Sequence, residues 1–89
     1  MPQVQVGENI AFTFSTTQAN VNSSNWIGIY PAGKTPGSVS SSAWAYVSAV
    51  GGVTSFSTSS LAPGNYVAYL CYNGGYTVLA GPAGFNVSQ

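Results

Sequence analysis

Asn25-Trp26-Ile27-Gly28-Ile29-Tyr30 is a run in which two chemistries alternate. Ile27 and Ile29 share one parity. Trp26, Gly28 and Tyr30 share the other. Side chains on a strand point to opposite faces with period 2, so this run predicts a strand with one aliphatic and one aromatic face. Ala43-Trp44-Ala45-Tyr46-Val47 repeats the pattern, with Ala45 and Val47 opposed by Trp44 and Tyr46. An aliphatic face is core. A second, aromatic face needs its own reason, because a large exposed apolar patch usually marks a binding surface.

Outward from this pair of runs, the remaining chain also reads as strands and turns. Val, Thr, Ser, Tyr and Phe dominate, and no stretch carries helix caps with a 3.6-residue period. Residues 3–6 predict a short first strand with Val4 and Val6 inward, and Gly7-Glu8-Asn9 a turn. Residues 10–16 alternate, placing Ile10, Phe12 and Phe14 on a core face. Residues 17–24 and 31–42 read as loops. Gly51-Gly52 reads as a turn before a strand over 53–58, in which Phe56 is the core residue. Asn73-Gly74-Gly75 reads as a hairpin turn, since Asn and Gly accept positive φ. Gly81-Pro82-Ala83-Gly84 reads as a bulge or kink between returning strands over 76–80 and 85–87.

Leu61-Ala62-Pro63-Gly64-Asn65-Tyr66 sets the phase of the strand that follows. A Leu before Pro-Gly and a Tyr two residues after it match a tyrosine corner, in which the phenol hydroxyl bonds back to upstream backbone. That puts Tyr66, Ala68 and Leu70 in the core and Val67, Tyr69 and Cys71 on the other face. The expected fold is a single all-β domain over 1–89, an immunoglobulin-like antiparallel β-sandwich of seven to eight strands with a tyrosine corner.

Composition narrows the function. The 89 residues hold one acid (Glu8), one base (Lys34), no histidine and one cysteine, with zero net charge. Phosphate-backbone binding needs several Lys or Arg, so no nucleic-acid partner is expected. No run approaches 18 apolar residues, so no membrane partner is expected either. No metal or cofactor is expected, since no ligand cluster exists. Acid–base chemistry has no histidine or carboxylate pair, and a Ser or Thr nucleophile has no base, so the chain is expected not to be an enzyme. Cys71 reads as a small buried hydrophobe. No charged segment precedes an apolar one at the N-terminus, so no signal peptide is expected; the chain reads as a piece of a larger secreted protein, and an extracellular setting is expected.

Soluble domains are about 25% charged; this one is 2% charged. Its surface of Ser, Thr, Asn and Gln suits a neutral, hydroxyl-rich ligand and should respond little to salt. Two Trp, six Tyr and four Phe make it rich in rings. Phe12, Phe14, Phe56, Phe85 and Tyr66 belong to the core by strand phase. If Ile27, Ile29, Ala45 and Val47 face inward, then Trp26, Tyr30, Trp44, Tyr46 and Tyr69 form a flat, uncharged platform. Such rings stack on the C–H face of a sugar, with neighbouring hydroxyls and amides binding its OH groups. The competing reading places Trp26 in the core, as in many sandwiches with a Trp on the third strand, and Ile27 and Ile29 then face out. Tyr72 and Tyr76, flanking the hairpin, form a second candidate site.

Taken together, 25–30, the Pro36-Gly37 loop, Trp44-Ala45-Tyr46-Val47, 61–66 and 73–80 resemble small immunoglobulin-like modules attached to secreted hydrolases, including calcineurin-like phosphoesterases and polysaccharide-degrading enzymes. The likeness implies a carbohydrate-binding module whose ligand is cellulose or another β-glucan, joined to a hydrolase domain. A looser likeness runs to phosphatase-associated and SKICH-type domains, which open with a similar Trp-Ile-Gly run and serve in interactions. Those relatives commonly carry Asp where this chain has Asn25, and are more charged. The alternative function is therefore a structural or protein-interaction module without sugar binding.

Overall fold

The computed structural model describes residues 2–89. Among these there is no α-helix; one 3-10 turn, Gln18–Asn20, interrupts the polar loop before the third strand. The strands are β1 (Gln3–Gln5), β2 (Asn9–Ser15), β3 (Trp26–Pro31), β4 (Ala43–Tyr46), β5 (Gly51–Ser57), β6 (Gly64–Tyr72) and β7 (Thr77–Ser88). One sheet runs β1-β7-β6-β3-β4, and β2 pairs with β5 in a second. The architecture is all-β and sandwich-like.

The core lies between the two sheets, and period-2 alternation puts it there. Ile10 of β2 and Phe56 of β5, with the partly buried Phe12 and Phe14, face Ile27 and Ile29, Tyr66, Ala68 and Leu70, and Phe85 and Val87. Phe12 meets Phe56 and Phe85 edge-on, with centroids 6.0 and 5.5 Å away. Tyr66 stacks on Phe85 at 5.7 Å. Its hydroxyl donates to the Ala62 carbonyl at 2.6 Å, which closes the tyrosine corner and sets the β6 phase read from the sequence.

Three local expectations are corrected. β1 pairs in parallel with β7, Gln3 opposite Asn86 and Gln5 opposite Ser88, so the large sheet is mixed and not wholly antiparallel. A parallel pair needs a long connection, and here almost the whole chain supplies it. Val6 lies beyond that pairing and is 40% exposed, because the chain is already turning into the second sheet. Gly51-Gly52 is not a turn. Both residues begin β5, opposite Ser15 and Phe14; Gly52 has φ +153°, which favours glycine, and lies against the Phe14 ring. The chain reverses earlier, over 47–50.

The expected break at residues 81–84 takes the milder of its two forms. β7 runs through it as one strand, and the β6–β7 register shifts between Ala68 and Cys71. Gly81 has φ +118°, and a Cβ there would stand 2.7 Å from the Ala68 carbonyl, so only glycine fits.

Candidate functional site

The outer face of the large sheet carries the other parity. In cross-strand register, Tyr46, Trp26 and Cys71 form one row, and Trp44, Gly28 and Tyr69 the next. Tyr30 opposite Val67 forms a third. Residues directly opposite share a face, so the aromatic face foreseen along β3 and β4 extends across three strands.

Ile27 and Ile29 point inward, yet Trp26 is also buried. It is 8% exposed and Tyr30 only 1%, in a second cluster with Cys71 on the far side of the sheet from the core. The competing reading, with Trp26 in the core between the sheets, is corrected: the indole leaves β3 on the outer face and is buried there by other side chains. Gly28 makes this possible, because the rings of Trp26 and Tyr30 lean over its bare Cα; a Cβ there would collide with the Trp26 ring. Trp44 and Tyr76 then cover the indole, each edge-to-face, at 6.5 and 6.2 Å. The indole N–H donates to the Gly75 carbonyl at 3.0 Å.

Asn25 fixes the surroundings. It is fully buried, and its amide donates to the Asn20 carbonyl while its Oδ1 accepts from the Asn73 N–H, both at 2.9 Å. Its backbone carbonyl accepts from Val47, and Ser24 accepts from Gly74. One polar side chain therefore ties the loop before β3 to the β6–β7 turn, and that turn carries Tyr76.

What remains open is a groove of about 390 Å³ lined by Trp26, Tyr30, Trp44, Tyr46 and Tyr76, with Val39, Ser40, Ser41 and Gly74 at its rim. Trp44, Tyr46 and Tyr76 are the exposed rings, at 54, 61 and 64%. Trp26 and Tyr30 are floor, which corrects the expectation of five rings free to stack. The platform is not flat either: Trp44 and Tyr46 stand 5.0 Å apart at 83°. Edge-to-face contact is one of the two favoured geometries for close rings, and between Trp44 and Tyr46 it corrugates the surface.

The remaining sequence candidates divide. Tyr76 joins the main groove and is not part of a separate site. Tyr72 is half-buried, pairs with Thr77 and does not line the groove. Tyr69 lies on the aromatic face but on the far side of β3 from β4; it meets Tyr30 edge-on at 6.1 Å and does not line the groove. Sequence reasoning missed Val39, Ser40, Ser41 and Gly74. These sit in a loop and a turn where no period-2 signal exists.

No Asp, Glu, Lys, Arg or His lines the groove. Burial, with smaller effects from Cys71 and Tyr76, raises the pKa of Tyr30. Burial pushes the Cys71 thiol up to about 11, so it is a protonated hydrophobe at neutral pH. The Glu8 carboxylate accepts the Gln5 N–H at 2.6 Å across its turn. Among the described residues no three His, Cys, Asp or Glu gather as metal ligands would.

The chain is thus an all-β, sandwich-like domain with an uncharged aromatic groove on the outer face of its larger sheet. No protein-family profile and no curated protein sequence matches it. A crystal structure of an uncharacterized protein from Bacillus anthracis str. Ames is similar over 99% of this chain and 77% of that one, with TM-score 0.64 and 17% identity. That likeness concerns the fold alone.

Proposed function

We propose that this chain is a non-catalytic, immunoglobulin-like module that binds a neutral polysaccharide, cellulose or another β-glucan, and holds an attached hydrolase on its substrate outside the cell. The immunoglobulin-like assignment draws support from the tyrosine corner and from the order β1-β7-β6-β3-β4 over β2-β5. The observation that carries the function is the groove itself: three exposed rings, two serines and no charged side chain. Apolar ring faces match the C–H faces of pyranoses, and hydroxyls match their OH groups.

The test is retention of the domain by a panel of insoluble and soluble neutral glycans, at low and high salt. Retention should be insensitive to salt, because no ion pair is involved. Trp44→Ala should weaken it about tenfold, as the loss of one stacked ring. Absence of binding to every neutral glycan defeats the proposal.

A second reading, a protein-interaction module, is favoured by the apolar Val39 and Val78, which are exposed like the three rings. It predicts self-association or partner binding that buries the rings. Sedimentation of the intact domain across concentrations, with Trp44→Ser as the control, separates that reading from sugar binding.

A further inference from the structure

Resting on the polysaccharide reading, we propose that the groove takes one unassociated glucan chain and does not dock on the flat face of a crystalline polymer. Stacking against a flat surface needs rings that are coplanar and stand proud of the fold. Here neighbouring rings are nearly perpendicular: Trp26 to Trp44 at 81°, Trp26 to Tyr76 at 80° and Trp44 to Tyr46 at 83°. A plane laid over Trp44 and Tyr46 touches the face of one and only the edge of the other, and the buried Trp26 stays out of its reach. A single chain offers both faces of each pyranose and its edge hydroxyls, so it can enter between rings that meet at right angles.

The rim supports the same ligand form. Val39, Ser40 and Ser41 of the β3–β4 loop line the groove together with the rings and are themselves exposed or half-exposed. This loop is braced: the Ser38 hydroxyl donates to the Thr35 carbonyl at 2.6 Å, and Ser42 N–H donates to the Ile29 carbonyl at 2.7 Å. It also reaches the Tyr76 ring, since a Cβ at Gly37 would lie 3.2 Å from that ring. A loop that lines the groove and touches one of its rings gives walls as well as a floor. The volume of about 390 Å³ is at the small end of ligand sites, which run from about 300 to 1,000 Å³. Such a space suits a short stretch of one chain.

The experiment compares three probes on the same protein: soluble mixed-linkage β-glucan by calorimetry, amorphous swollen cellulose by depletion, and microcrystalline cellulose by depletion. Binding to the soluble chain and to amorphous cellulose is expected. Soluble β-glucan should release the domain from amorphous cellulose, and microcrystalline cellulose should hold little. Ser40→Ala and Ser41→Ala should each weaken soluble-chain binding about fivefold, as the loss of one hydrogen bond, with no change in melting temperature. Strong retention on microcrystalline cellulose without soluble-chain binding overturns the single-chain inference and leaves the polysaccharide reading standing. Absence of binding to all three overturns the single-chain inference and the β-glucan ligand, and absence of binding to the whole neutral-glycan panel overturns the polysaccharide reading as well.

Discussion

The two faces of β3 solve one problem in two ways. On the inner face Ile27 and Ile29 are covered by a second layer, β2 and β5, which brings Ile10, Phe12 and Phe56 to meet them. On the outer face no second sheet arrives. Trp26, Tyr30 and Cys71 are covered by rings from the same sheet and from the turn after β6. The inner face is buried by topology and the outer face by side-chain size. A sheet covered only by its own aromatics must leave the last layer of rings in water, and that layer is the groove.

If the outer cluster is a genuine small core, Trp26→Ala should destabilise as much as Ile29→Ala. The expected cost is about 3–5 kcal/mol for Trp26→Ala and about 2–5 kcal/mol for Ile29→Ala, measured by denaturant unfolding. A cost for Trp26→Ala near zero would mean that the outer face is decoration on an otherwise complete fold.

Next in size is the polar tether beneath that cluster. Asn25→Asp removes the donor to Asn20 and buries a carboxylate against a carbonyl, while keeping an acceptor for Asn73. The expected loss is about 2–4 kcal/mol at pH 7. Burial and the facing carbonyl raise the folded-state pKa of the new carboxyl. The variant should therefore come closest to the parent below about pH 4 and lose stability as pH rises. Equal deficits at both pH values would show that the site takes water.

Alkaline pH probes the outer cluster without mutation. Burial raises the Cys71 pKa from its ordinary 9.0 to about 11, and Tyr30 moves the same way. Both groups are neutral when protonated, so the folded state holds its protons longer than the unfolded chain. The stability this contributes is complete below about pH 9, where an exposed thiol titrates. It is lost as pH rises towards 11. The denaturant midpoint should be level from pH 6 to 8 and fall above 9, and Cys71→Ala should make that fall shallower.

The smallest stability effect belongs to the outermost layer. Tyr46→Ala removes a ring that is mostly in water, so a change of about 1 kcal/mol or less is expected. A large loss would mean that Tyr46 belongs to the outer core and is not a ligand ring.

Much of the fold was legible along the chain. Alternation in 25–30 and 43–47 assigned both faces of β3 and β4. Leu61 through Tyr66 set the phase of β6 through a corner that needs only local residues. Both signals are short-range, and sequence carries those well. The N-terminal strand was misjudged because its partner β7 lies at the other end of the chain, and pairing direction depends on that partner. The glycines at 51 and 52 were misread because Gly-Gly is a turn signal along the chain, while their pairing with Ser15 and Phe14 of β2 depends on a strand far away in sequence.

The site divides in the same way. Residue type and parity alone determined that Trp26, Tyr30, Trp44 and Tyr46 share a face with no charge on it. Only the tertiary structure decided which of those rings meet water. It buried Trp26 and Tyr30 over Gly28, brought Tyr76 in from a distant turn and left Tyr69 and Tyr72 outside the groove. The reason is physical: period 2 tells which side a ring leaves the strand, while its exposure depends on what neighbouring strands and loops place on top of it.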